Sequence, residues 1–153
     1  VVKQALWSNP FTKGPVQSAG YILNAGSEQF IQDCVHKLQQ DHAASLLIFP
    51  EGTRTAKGEQ LNDFQRGAAN IALRAGVPIR PVLISCTPST LTKNEKWYHI
   101  PEQPFHIHVK VLDAIRVEDV LDDVTVNPKN VRQLNQQLQW FFNQELSVNE
   151  QSC

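Results

Sequence analysis

Arg54 is the residue best equipped to hold an anion. Its guanidinium is permanently charged and offers five N–H donors in a planar fork that suits phosphate or carboxylate. It closes the run Phe49-Pro50-Glu51-Gly52-Thr53-Arg54. Pro50 cannot donate to a strand ladder, and Gly52 permits a backbone bend that a Cβ obstructs. Just before them, Leu46-Leu47-Ile48-Phe49 is an unbroken apolar run, which predicts a buried strand. In an open α/β sheet, ligands gather beyond the carboxyl ends of the strands. A carboxylate, a glycine and an arginine at that place fit an anion site. They also fit a Glu51–Arg54 pair that braces a turn, and spacing does not separate the two.

The same six residues resemble the phosphate-binding motif of the glycerolipid acyltransferases, the family typified by 1-acyl-glycerol-3-phosphate acyltransferase. Upstream, Gly20-Tyr21-Ile22 resembles the family's glycine–aromatic–isoleucine block. Downstream, Val77-Pro78-Ile79-Arg80-Pro81-Val82 resembles its Val-Pro-x-x-Pro-Val block. The resemblance implies an α/β domain with a mixed, largely parallel β-sheet flanked by helices, incomplete at its N-terminus. Residues 1–147 are then the C-terminal part of one acyltransferase domain, and 148–153 a disordered tail. It also implies roles. Arg54 holds the acceptor's phosphate by charge, Gly52 and Thr53 by backbone amides and a hydroxyl, and Glu51 orients Arg54 or the substrate glycerol. Lys3 and Arg80 are weaker candidates for extra positive charge. Where the family carries an arginine after its glycine block, this chain has Asn24, a neutral residue with a weaker grip on a dianion.

Acyl transfer to a hydroxyl needs a base to take the proton as the oxygen attacks a thioester carbonyl. In the family this is the histidine of a His-x-x-x-x-Asp pair that precedes all three blocks. Two such spacings occur here, His36 with Asp41 and His108 with Asp113. Five residues along a helix leave side chains about 140° apart, and an odd offset along a strand points them to opposite faces. Both pairs also follow the glycine block. The catalytic pair is therefore expected upstream of Val1, and these residues are expected to bind substrate without turning it over. The chain has no Met, even at position 1, which fits a missing start. The resemblance further implies no cofactor, with acyl-CoA or acyl-carrier protein as co-substrate. The implied partners are a lysophospholipid acceptor, the acyl thioester donor and a membrane surface.

Several other function classes fall away. Net charge is −1 over 153 residues, so no global basic field draws the chain to nucleic acid. Hydrophobic residues are 41% and charged ones 19%, too apolar for disorder. Three cysteines, with no Cys-x-x-Cys pair, argue against a disulfide framework or zinc site and fit a reducing compartment. With lipid substrates, that places the protein at the cytoplasmic face of a membrane, a bacterial inner membrane in particular. No run approaches the roughly 18 apolar residues of a span. Gly-x-x-x-x-Gly-Lys, Gly-x-Gly-x-x-Gly and Gly-x-Ser-x-Gly are all absent, which leaves little for another phosphate-handling enzyme class. A non-catalytic anion- or lipid-binding module of the same fold is the remaining alternative.

The elements that must position Arg54 follow from periodicity. Residues 1–7 read as strand, Ser8-Asn9-Pro10 and Lys13-Gly14-Pro15 as turns, and 19–23 as a second strand. Ser27 is placed to cap a helix over 28–42 with the stripe Phe30, Ile31, Cys34, Val35, Leu38. Asn62 with Gln65 predicts a helix opening near 63 and ending at Gly76, its buried face formed by Phe64, Ala68, Ile71, Ala72 and Ala75. A strand over 79–86 then completes a right-handed β-α-β unit. Lys93, Lys96, Trp97 and Tyr98 crowd one loop, an aromatic anchor or a membrane-facing patch. Residues 105–111 alternate strictly, predicting one buried and one polar face. His106 and His108 share the polar face, but no third ligand accompanies them, so no metal is expected. Asn127 and Pro128 open a last amphipathic helix running to about 147.

Overall fold

The computed structural model describes residues 2–24, 28–41, 43–55, 61–90, 92 and 102–150. Val2–Lys3 (β1) pairs in parallel with Leu23–Asn24 (β2). Between them lie two helices, Gln4–Ser8 (α1) and Pro10–Ser18 (α2), where strand and turns were expected. The helix prevails because its start is well capped. The Asn9 side chain accepts from the Phe11 amide at 2.9 Å, and Pro10 occupies the first turn, where no N–H is needed. Pro15 is tolerated because α2 buries no residue, so the carbonyl it cannot serve is open to water.

Glu28–Gln40 (α3) carries the expected stripe, with Phe30, Ile31 and Cys34 buried; its expected cap, Ser27, lies outside the described residues. The run into the central loop departs from expectation. From Ala43 to Pro50, burial alternates residue by residue, as on a pleated strand, but no ladder forms among the described residues. Leu46 and Ile48 pack inward, while Leu47 and Phe49 are 68% and 65% exposed. A strand buried on both faces needs hydrogen-bonded neighbours and two covering layers. Among the described residues this segment has one layer and no paired neighbour.

Gly67–Ala75 (α4) ends as expected on Gly76, which takes φ 65° and donates its amide to the Ala72 carbonyl at 3.0 Å. It opens later than the Asn62–Gln65 pattern predicts. The amides of Asn62, Phe64 and Gln65 are taken by Glu51, Gln139 and the Pro50 carbonyl, so this stretch has no need of a helical turn. The next strand, Val82–Thr87 (β3), begins after Pro81, and Ile79 makes only an isolated bridge to Ile115. β3 pairs antiparallel with His106–Val111 (β4), from Val82 opposite Val111 to Thr87 opposite His106.

The largely parallel sheet expected is not formed by the described residues. Among the described residues the longest ladder is antiparallel, the parallel pair is two residues long, and α4 closes no β-α-β unit. What holds is an α/β composition. The expectation for β4 is corrected too, because all six of its residues are exposed. One face of the ribbon lies toward the last helix, where Leu83 is buried and Lys110 reaches Glu145 at 3.1 Å. The other carries Ile84, Ile107, Val109 and Val111 and has no covering layer among the described residues.

Pro128–Glu150 (α5) starts as expected, with the Asn127 side chain accepting from the Asn130 amide at 2.8 Å, and runs past residue 147. The loop holding Lys93, Lys96, Trp97 and Tyr98 lies outside the described residues. α4 joins two cores. Its Ala69, Ala72 and Leu73 meet Phe64, Val117, Leu121, Val131, Leu134 and Leu138, whereas Ile71 turns to Phe30, Ile31 and Cys34 of α3. A helix covered on two sides must be short in side chain on one of them, which the two alanines supply. Among the described residues no helix is long and apolar enough to cross a membrane, and no three His, Cys, Asp or Glu side chains group as metal ligands.

Cys34 gives this second core a chemical signature. It is fully buried, and burial pushes its thiol from 9.0 up to about 11. The folded state holds the thiol proton more tightly than the unfolded state. The resulting stability is complete below the ordinary thiol pKa and is lost as pH rises through about 11. Iodoacetamide at about pH 8 is expected to label the half-exposed Cys86 and to spare Cys34 until the chain unfolds, as mass mapping of the alkylated peptides will read. Equal labelling of both thiols in the folded protein contradicts this packing.

Candidate functional site

The central loop is a stapled turn. The Gly52 amide donates to the Phe49 carbonyl at 3.1 Å, closing a four-residue turn, and Gly52 takes φ 67°. A β-carbon there meets only Gln65 Cγ at 3.5 Å, so the demand for glycine comes from the left-handed backbone and not from crowding. The Pro50 carbonyl accepts from the Gln65 amide at 2.8 Å. This backbone bond holds the far side of the loop against the turn.

Glu51 is the hub. Its Oε2 accepts from the Thr55 hydroxyl at 3.2 Å and from both the amide and the side-chain Nδ2 of Asn62, each at 2.8 Å. A carboxylate oxygen receiving three donors is fixed in position as an acceptor. It fixes both ends of the segment that carries Thr53 and Arg54. Thr53 and Arg54 themselves are exposed on this turn.

The expected site residues do not all stand in the expected roles. The Gly52 amide was to face a phosphate; it is consumed in closing the turn, so Gly52 contributes shape. Lys3 and Asn24 are opposite one another in the β1–β2 ladder, and their side chains lie outside the described part of the structure. Arg80 donates through Nη1 to the Leu112 carbonyl at 3.2 Å, bracing the entry to the β3–β4 ribbon. Of the two His–Asp spacings, Asp41 accepts from the Ala43 amide at 2.9 Å, and His108 sits across the ladder from Ser85.

Three contributors were missed from sequence: Asn62, Asn135 and Gln139. The Asn62–Gln65 pattern predicts a helix cap, whereas Asn62 gives its amide and its side-chain Nδ2 to the Glu51 carboxylate. Asn135 and Gln139 lie four apart on α5, beside the stripe of Val131, Leu134 and Leu138. Asn135 Nδ2 donates to the Phe64 carbonyl at 3.0 Å, and Gln139 accepts from the Phe64 amide at 2.6 Å while donating to the Asn62 carbonyl at 3.3 Å. Two amide side chains four residues apart at the margin of an apolar stripe are the one signal that pointed there.

The turn that carries Glu-Gly-Thr-Arg follows an apolar run within an α/β chain, and it lies inside the stretch that matches a known family. Residues 2–85 match the acyltransferase family, and the chain belongs to it, within the glycerolipid acyltransferases. It is 38% identical over 81 residues to a putative 1-acyl-sn-glycerol-3-phosphate acyltransferase of Caenorhabditis elegans, covering 52% of this chain and 27% of that protein. It is 36% identical over 86 residues to 1-acyl-sn-glycerol-3-phosphate acyltransferase alpha of Mus musculus, covering 56% and 29%. Against the 1-acyl-sn-glycerol-3-phosphate acyltransferase of Escherichia coli it is 46% identical over 50 residues, covering 33% and 20%. The chain thus spans less than a third of the length of these relatives. No solved structure matches it.

Proposed function

We propose that the full-length protein transfers a fatty acyl group from a thioester, on coenzyme A or acyl-carrier protein, to the free hydroxyl of a lysophospholipid. The acceptor is 1-acyl-glycerol-3-phosphate, and the reaction serves phospholipid synthesis at the cytoplasmic face of a membrane. The observation that carries this reading is the Glu51-clamped turn, which holds Thr53 and Arg54 in place while leaving them exposed.

The chemistry divides between binding and proton transfer. Arg54 supplies a charge-assisted contact to the phosphate, and the Thr53 hydroxyl supplies a neutral one. Glu51, already engaged by three donors, keeps the loop in shape and takes no part in proton transfer. The base that removes the acceptor's hydroxyl proton is the histidine of a His-x-x-x-x-Asp pair outside these residues. As the hydroxyl oxygen attacks the thioester carbonyl, the C–S bond breaks, the ester forms and the thiol leaves with a proton.

The test is an acceptor series with the full-length protein and oleoyl-CoA. Transfer to 1-acyl-glycerol-3-phosphate is expected, with kcat/KM at least about 100-fold above that for the matching monoacylglycerol, since an unfilled phosphate site forfeits its contacts. Equal use of the two acceptors overturns the phosphate reading. No transfer from either coenzyme A or acyl-carrier protein thioesters overturns the enzyme.

A further inference from the structure

The C-terminal helix lies beyond residues 2–85, which carry the family match, yet it is bonded into the loop that holds Arg54. The connection has three steps. The carboxamide of Gln139 treats residues 62–64 as a neighbouring strand would, accepting from the Phe64 amide at 2.6 Å and donating to the Asn62 carbonyl at 3.3 Å. Asn135, one turn earlier, takes the Phe64 carbonyl at 3.0 Å, and the buried Phe64 ring meets Phe142 of the same helix edge-on at 5.2 Å. Asn62 then delivers two donors to Glu51 Oε2, and Gln65 delivers its amide to the Pro50 carbonyl.

Each step is specific in a way that packing alone is not. A side-chain amide that both donates and accepts along one backbone edge fixes register as well as distance. A shift of residues 62–64 by one position turns the Asn62 side chain away from Glu51, because successive side chains of an extended segment alternate. The helix that sets this register is itself anchored in the larger core by Val131, Leu134 and Leu138.

We propose that Gln139, supported by Asn135, is a positioning residue for the acceptor loop: it sets the register of residues 62–65, and through Asn62 it sets Glu51 and the turn that carries Arg54. It touches no substrate. The proposal rests on the acyltransferase reading for its kinetic consequence and on the hydrogen-bond chain alone for its structural one.

Gln139→Met in the full-length protein keeps side-chain length and helix propensity while removing both hydrogen bonds. Amide exchange of residues 51–55 is expected to speed up by about tenfold, along with that of 61–66. KM for 1-acyl-glycerol-3-phosphate is expected to rise about five- to tenfold, with KM for oleoyl-CoA and kcat within about twofold of wild type. Gln139→Glu keeps the acceptor for the Phe64 amide and is expected to recover part of the protection; it also serves if the Met variant does not fold. Faster exchange confined to 61–66, or acceptor and donor KM rising together, overturns the positioning role. If wild-type protein acylates no lysophosphatidate, the functional reading fails, and the exchange of residues 51–55 still decides this one.

Discussion

Arg54→Ala in the full-length protein is expected to lower kcat/KM for 1-acyl-glycerol-3-phosphate by about 100-fold while leaving KM for the acyl thioester within about twofold. A hydrogen bond to a charged group contributes about 1.5–3 kcal/mol net, and a guanidinium on a phosphate is at the strong end of that range. Arg54→Lys keeps the charge but loses the planar fork, so an intermediate loss is expected. The thermal midpoint should move by no more than about 2 °C, since Arg54 is exposed and belongs to neither core cluster. Initial rates with each substrate varied in turn, beside a thermal melt, give the answer. A large fall in the melting temperature with an unchanged acceptor KM assigns Arg54 to bracing the turn instead.

The turn itself was legible in sequence because its signals are local. Gly52 takes the left-handed backbone that its type permits, and Pro50 leaves an amide out of any ladder. α3, the Gly76 stop and the Asn127–Pro128 start were legible for the same reason: a stripe or a cap is written in neighbouring residues. What could not be read was where distant partners sit. The apolar run 46–49 specifies a pleat, and the pleat is present, but whether it becomes a strand depends on a ladder supplied from elsewhere in the chain. Residues 62–65 carry good helix-start chemistry, yet Glu51 and Gln139 outbid the helix for their amides. β4 alternates as a half-buried strand should, and it is the polar face, through Lys110 and Glu145, that lies toward α5. Pattern gave the period in each case, and tertiary partners chose the outcome.

Leu134→Ala is expected to destabilise the protein by about 3–4 kcal/mol, the range for emptying a buried leucine site that collapses only in part. Leu134 is fully buried in the cluster that also holds Ala69, Ala72 and Leu73 of α4. Its neighbours in the cluster are already packed against one another, so the cavity should persist in part. Against a typical stability of about 5–15 kcal/mol, such a loss is large. Ile107→Ala on the uncovered face of the β3–β4 ribbon removes a comparable side chain that is already 59% exposed, and should cost under about 1 kcal/mol. Pulse proteolysis across a urea series measures both in the full-length protein. The loss at Leu134 should also reach the loop that carries Arg54, because the helix it anchors carries Asn135 and Gln139, and a loosened α5 releases the register of residues 62–65. A Leu134 variant as stable as the Ile107 variant places the core elsewhere, and with it the support of the loop.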